Sequence, residues 1–146
     1  MDVRNLANNL LNRSFEQKIP ITNMKLLKLL YFVYKKYLQD FSKSLFADRF
    51  ETWDYGPVMP NIYQEFKKYG SSPIQDYFLD TSGNAFGIEE TPPIKDTIDY
   101  VWAKYIGKTG VELSEITHRE GSAWRKAWDE HRAFLSDEDI RADTNE

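Results

Sequence analysis

The spacing of apolar residues along the chain predicts a mainly helical protein. In residues 2–14 apolar side chains recur at intervals of three and four, so they share one helix face: Val3, Leu6, Ala7, Leu10 and Leu11. Residues from about 22 to 38, TNMKLLKLLYFVYKKYL, are apolar around most of the helix, and Thr22 is suited to cap its first turn. A helix of this kind belongs at the centre of a domain. We therefore predict a single-domain helical bundle around it.

The second half of the chain contains further helical patterns. A helix opens at Pro92-Pro93, and its apolar face comprises Ile94, Ile98, Val101, Trp102 and Tyr105. Shorter helices are predicted at about residues 110–119 and over SAWRKAWDEH, after Gly121. We assign residues 1–135 to the helical domain. Residues 136–146, SDEDIRADTNE, are acidic, and we expect a short helix that frays into a partly disordered tail.

The stretch WDYGPVMPNIYQEFKKYG, residues 53–70, predicts a stiff turn followed by a helix. Gly56 allows backbone angles that other residues avoid, and Pro57 fixes its own φ, so the pair changes the chain direction sharply. Pro60 fits the first turn of a helix, where its missing N–H is not needed. Extended residues before this turn allow at most a short β-hairpin. The apolar side of the helix comprises Ile62, Tyr63 and Phe66.

The composition limits both the cellular compartment in which the protein could work and the kinds of functional site it could contain. The chain has 146 residues, of which 41% are hydrophobic and 15% aromatic, which suits one folded domain. It has no cysteine, which excludes disulfides, thiolate metal sites and a cysteine nucleophile. No stretch has the apolar length of a signal peptide or a membrane span. We therefore expect a cytoplasmic protein that does not associate with membranes. We also expect no metal and no cofactor, because the histidines match no metal-binding spacing and the glycines form no phosphate-binding loop.

Charge is distributed unevenly within a net charge of -4. The first 73 residues carry +4 (11 Lys and Arg, 7 Asp and Glu), and the remainder carry -8 (8 and 16). Four lysines lie near tyrosines on the central helix, a combination that single-stranded nucleic-acid binders use: Lys25, Lys28, Lys35 and Lys36. The alternative is a core helix whose lysines reach solvent at its margins. The acidic total favours this alternative, so a nucleic-acid-binding regulator is the less favoured hypothesis.

Ser114 and His118 raise the alternative of a small hydrolase. Residues four apart on a helix share a face, which would place a serine nucleophile beside a histidine base. The chain has no Gly-x-Ser-x-Gly motif, however, which would build the strained turn that many serine hydrolases use. A structural hydrogen bond for His118 is the simpler interpretation. We accordingly expect no enzymatic activity.

Several aromatic residues are candidates for contact with a partner protein. Trp, Tyr and Arg dominate the binding hot spots of protein interfaces, and aromatic side chains that the core does not absorb stay at the surface. One group flanks the Gly56 turn, and another lies beyond His118 in the sequence. The candidate partner-binding residues are Trp53, Tyr55, Tyr63, His118, Trp124, Arg125 and Trp128.

The order of these motifs resembles the Panacea-domain family of prokaryotic and phage antitoxins, which includes prophage-associated proteins. The similarity covers about residues 1–130. Six residues match the first family signature: Trp53, Gly56, Pro57, Pro60, Tyr63 and Phe66. Four match the second: Leu113, Thr117, His118 and Trp124. The family often has a proline directly before that tryptophan, where this chain has Ala123.

The resemblance implies a mainly helical domain that neutralises a toxin encoded beside it, usually by direct protein binding. A proteolytic-adaptor member of the family instead delivers its toxin to a protease. The implied partners are thus a cognate toxin and, for an adaptor, a protease; a homodimer is also compatible with the sequence. The resemblance further implies that His118 is structural or interfacial. Residues expected to build the scaffold are Gly56, Pro57, Pro60, Phe66 and Thr117.

Overall fold

Helices account for most of the architecture in the computed structural model, which describes residues 1–88 and 90–146. The elements are α1 (Val3–Gln17), α2 (Asn23–Phe41), β1 (Glu51–Trp53), β2 (Gly56–Val58), α3 (Pro60–Phe66), α4 (Pro92–Tyr105), α5 (Gly110–His118), α6 (Ala123–Asp129) and α7 (Asp137–Ala142). A short 3₁₀ turn, Lys67–Tyr69, follows α3. The predicted fold class, mainly α with a short β-hairpin, is confirmed.

Helix α2 is the centre of the fold, as its all-round apolar pattern predicts. It contacts α1, α3, α4, α5, α7 and β2, so almost every apolar position on its circumference is covered. The Thr22 hydroxyl accepts a hydrogen bond from the backbone N–H of Lys25 and caps the first turn. At the other end, Ser42 adopts a left-handed conformation and terminates the helix.

The structure corrects the prediction that the α2 lysines reach solvent at the helix margins for two of the four, whereas Lys25 and Lys36 are partly exposed. Lys28 is only 1% exposed and Lys35 only 5%. The hairpin covers Lys28, whereas the C-terminal residues cover Lys35, whose Nζ lies 2.5 Å from the carbonyl oxygen of Asn145. Both lysines are thus buried by segments that are distant in the sequence, so the helical periodicity of α2 could not predict their burial.

The β-hairpin positions the most exposed aromatic residue of the described chain. Its strands are antiparallel, with Trp53 opposite Gly56, so that Asp54 and Tyr55 form the turn. Gly56 has a φ of +111°, and a Cβ added there would lie 2.8 Å from the Thr117 Oγ1. Only glycine therefore lets the hairpin lie this close to α5. Helix α3 begins at Pro60, as predicted.

The C-terminal residues pack against the bundle farther along the chain than the expected domain limit at residue 135. The Ser136 hydroxyl caps α7, which contacts α2 and α6. The Asp143 carboxylate is buried and accepts hydrogen bonds from the Tyr31 hydroxyl, at 2.8 Å, and from the Ala123 N–H, at 3.3 Å. Residues 136–143 thus lie within the packed structure.

Candidate functional site

An open apolar groove lies beside the hairpin, between the N-terminal ends of α2 and α5 and the segment that follows α3. We call it the hairpin groove. Its volume is about 530 Å³. Six of the side chains that line it are apolar or largely apolar: Met24, Leu27, Trp53, Tyr55, Val58 and Val111. Tyr63 also lines it, so three of the predicted partner-binding residues meet in one place.

The rim of the hairpin groove exposes apolar side chains that the core does not absorb. Tyr55, in the hairpin turn, is 68% exposed, and Val111, at the start of α5, is 73% exposed. Behind them, the Trp53 and Tyr63 rings meet edge to face with their centroids 4.9 Å apart. Such T-shaped pairs are the favoured geometry for aromatic rings, so this part of the wall is well packed.

Two polar side chains with unusual environments also line the groove. Lys28 is buried, and its Nζ donates to the Pro57 carbonyl oxygen at 3.2 Å. Burial lowers the pKa of Lys28 to about 7. Asn23 donates from Nδ2 to the Tyr63 carbonyl oxygen at 3.1 Å, while its Oδ1 has no hydrogen-bond partner in the described part of the chain.

Sequence reasoning assigned Asn23 to no site, and it considered Lys28 only as part of the less favoured nucleic-acid-binding surface. The available signal was Lys28 itself, which stands in the run KLLKLL on a helix predicted to be buried nearly all round. A lysine at such a position must either reach a gap or be covered. Only the hairpin, whose Pro57 lies 29 residues farther along the chain, decides between these outcomes.

The other predicted partner-binding residues form a second aromatic cluster behind the hairpin. The rings of His118, Trp124 and Trp128 follow one another at centroid distances of 3.9 and 5.0 Å. Trp124 is buried, only 3% exposed, whereas Trp128 is exposed. Arg125 pairs with an acidic residue one turn farther along α6. None of these four residues lines the hairpin groove.

Three consecutive carbonyl oxygens of the hairpin turn are contacted by side chains from α5 and α6. The Trp124 Nε1 donates to the Trp53 oxygen at 2.7 Å. The His118 Nε2 lies 2.8 Å from the Asp54 oxygen. The Ser114 Oγ donates to the Tyr55 oxygen at 2.8 Å. We call this set the turn clamp. It joins the two signatures of the sequence into one structural unit.

The turn clamp also shows how Ser114 and His118 are used. The serine proton is directed to the Tyr55 carbonyl, and the Ser114 Oγ lies 3.5 Å from the His118 Nδ1. That ring nitrogen is much closer to the Ser114 carbonyl oxygen, at 2.5 Å. Since the hydroxyl is not directed to the ring, the pair does not have the geometry of a nucleophile and its base.

Residues 1–88 and 90–146 contain no cluster of metal-binding side chains and no helix able to cross a membrane. Within these ranges no three His, Asp or Glu side chains converge as a metal site would require. Of the helices in the same ranges, none combines the length and the apolar character needed to span a bilayer.

These residues define a mainly α domain with an open apolar groove beside an exposed aromatic turn. The chain belongs to the family described as antitoxin SocA-like, Panacea domain, whose sequence model matches residues 26–125. Antitoxin SocA from Caulobacter vibrioides (strain NA1000 / CB15N) is 31% identical over 129 residues, which cover 85% of this chain and 69% of that protein. No solved structure shows a significant match. The family indicated by the two signatures is therefore confirmed.

Proposed function

We propose that this protein is a cytoplasmic antitoxin that neutralises a cognate toxin by direct, non-enzymatic binding through the hairpin groove and its rim. The observation that carries this proposal is the exposure of Tyr55 and Val111 at the edge of an apolar groove. Exposed aromatic residues, tyrosine and tryptophan above all, are typical anchors of protein interfaces. The similarity to a protein named as an antitoxin supplies the class of partner.

The presentation of Tyr55 supports a role in binding. Its own carbonyl and that of Asp54 are both contacted through the turn clamp, although the tyrosine side chain itself is exposed. A turn that is held in place before binding loses less conformational entropy when a partner docks. The clamp therefore favours a rigid contact surface.

The burial of the α2 lysines favours a protein partner over nucleic acid. Lys28 and Lys35 lie inside the fold, and Lys25 donates to the Ile106 carbonyl oxygen. They do not form the exposed basic stripe that a phosphate backbone would require. The apolar groove suits a protein partner better than a phosphate backbone.

The test is co-expression of this chain with the protein encoded next to its gene, followed by growth measurement and co-purification. Tyr55→Ala and Val111→Asp are expected to abolish rescue and complex formation. An aspartate in the first turn of α5 suits the helix dipole, so the second variant should stay folded. Tyr100→Ala is the matched control, because Tyr100 is an exposed aromatic residue outside the hairpin groove.

Each result has a distinct meaning. Loss of rescue in Tyr55→Ala and Val111→Asp, with Tyr100→Ala unaffected, supports the proposed surface. Full rescue by both groove variants contradicts it. Rescue by the unaltered chain without a stable complex would contradict sequestration and point to delivery of the toxin to a protease.

A further inference from the structure

We propose that the hairpin groove binds the C-terminal residue of the toxin, with the terminal carboxylate at Lys28, the last backbone N–H at Asn23 and an apolar side chain against the groove wall. This inference rests on the proposed function, since it names the part of the toxin that the same site recognises. Three observations support it: Lys28 has a neutral hydrogen-bond partner, the Asn23 Oδ1 has no partner among the described residues, and the groove wall is apolar.

Lys28 supplies the argument for a carboxylate. It is the only charged residue among the described residues that line the groove. Its ammonium group has three N–H donors, of which the Pro57 carbonyl oxygen accepts one. A buried cation without an anionic partner is costly, and a carboxylate both neutralises it and accepts a strong, charge-assisted hydrogen bond. The groove is thus complementary to an anion.

Asn23 supplies the argument for a peptide. The residue is 5% exposed, and its Oδ1 lacks a hydrogen-bond partner within the described residues. A buried acceptor in this state needs a donor, which a carboxylate cannot provide. The last residue of a peptide chain carries an N–H donor next to its carboxylate. The donor that Asn23 lacks and the anion that Lys28 lacks are thus both present in one terminal residue, and both side chains line the same groove.

The shape and lining of the groove supply the argument for an apolar terminal side chain. A volume of about 530 Å³ lies within the range of sites that bind small ligands. It suits a chain end better than the face of a folded element. Leu27, Val58 and Trp53 offer apolar contact there. Burial of an apolar side chain would supply affinity, while the two polar groups would supply direction.

The experiment uses two synthetic peptides that differ only at the terminus: acetyl-Ala-Phe with a free carboxylate and acetyl-Ala-Phe amide. Binding to the full chain is measured at pH 6 by isothermal titration calorimetry and by shifts of the backbone amide NMR signals. We expect the free acid to bind at least about tenfold more tightly, the effect of one charge-assisted hydrogen bond. In Lys28→Met the ratio of the two affinities, free acid to amide, should fall to about one. In Lys36→Met this ratio should be unchanged.

Several results would overturn the inference. Equal affinity for acid and amide would do so, as would a preference that persists in Lys28→Met or the absence of binding by either peptide at millimolar concentration. An amidated peptide with an internal Asp tests whether any carboxylate suffices, and equal binding by that peptide would exclude recognition of a chain end. The acid and amide comparison in the unaltered chain stays informative even if Lys28→Met does not fold.

The peptide experiment is independent of the co-expression test. Failure of the peptides, together with loss of rescue in Tyr55→Ala, would overturn C-terminal recognition and leave the proposed function in place. Failure of the co-expression test, together with selective binding of the free acid, would overturn the antitoxin proposal and leave a carboxylate-binding groove.

Discussion

Replacement of the buried Lys28 by methionine should change how stability depends on pH. Methionine has a similar length and no charge. In the unfolded chain the lysine keeps its proton up to about pH 10.5, whereas burial lowers the pKa of Lys28 in the folded chain to about 7. Between these values folding releases a proton, so the free energy of unfolding rises with pH. Lys28→Met removes this contribution.

The magnitude follows from the two pKa values. One proton gives a slope of up to about 1.4 kcal/mol per pH unit. Between pH 7 and 9.5 the destabilisation caused by burying Lys28 should therefore decrease by about 3 kcal/mol. The variant also loses the hydrogen bond to the Pro57 carbonyl oxygen, which shifts its stability by about 1–3 kcal/mol. Loss of this hydrogen bond shifts the free energy of unfolding of the variant by a similar amount at every pH. It therefore does not produce a pH dependence of similar size.

The assay is urea unfolding of the unaltered chain and Lys28→Met, monitored by tryptophan fluorescence between pH 6 and 9.5. This range stays below the titration of the buried tyrosines, because burial raises the pKa of Tyr34 and of Tyr105 to about 12 and raises that of Tyr31 as well. The difference between the two stabilities should change by about 3 kcal/mol between pH 7 and 9.5. Lys36→Met, at a partly exposed lysine, should show no such change. Parallel curves for the unaltered chain and Lys28→Met would refute the reasoning.

Three further predictions concern the packing around the site and the C-terminal segment. Gly56→Ala should lower the free energy of unfolding by at least about 2 kcal/mol, because a Cβ at this position would lie 2.8 Å from the Thr117 hydroxyl. Gly70→Ala is the control: its φ is +58°, but no atom lies within 4 Å of the added Cβ, so it should lower the free energy of unfolding by only about 1–2 kcal/mol. Tyr31→Phe should cost about 1.5–3 kcal/mol in urea unfolding, since it removes a buried hydrogen bond to the Asp143 carboxylate. Deletion of residues 136–146 should lower the melting temperature by at least about 5 °C by calorimetry, and an unchanged value would show that the segment adds no stability.

Features that depend on neighbouring residues could be predicted from the sequence. Thr22 caps α2, and Pro60 opens α3, because both roles are decided within one helical turn. The central position of α2 followed from its own apolar pattern. The short hairpin was foreseen from Gly56 and the extended residues before it.

Features that depend on distant residues could not be predicted. Whether Lys28 reaches solvent is decided by the hairpin that lies over it, and whether Trp124 is exposed is decided by the carbonyl oxygen of Trp53, 71 residues earlier. The packing of Asp143 likewise needs Tyr31, which precedes it by 112 residues. Residue types alone indicated which side chains are suited to binding, but only the fold shows that Tyr55 is exposed and Trp124 is buried.

The turn clamp has a consequence for any mutational map of this protein. Trp124 and Ser114 lie behind the turn, and they bind the carbonyl groups of Trp53 and Tyr55. Under the proposed function, their replacement would displace the turn and weaken toxin binding without removing any contact to the toxin. A screen would then score them as interface positions. A double-mutant cycle with Tyr55→Ala separates the cases, because a residue that acts only by placing Tyr55 has nothing left to contribute once that side chain is gone.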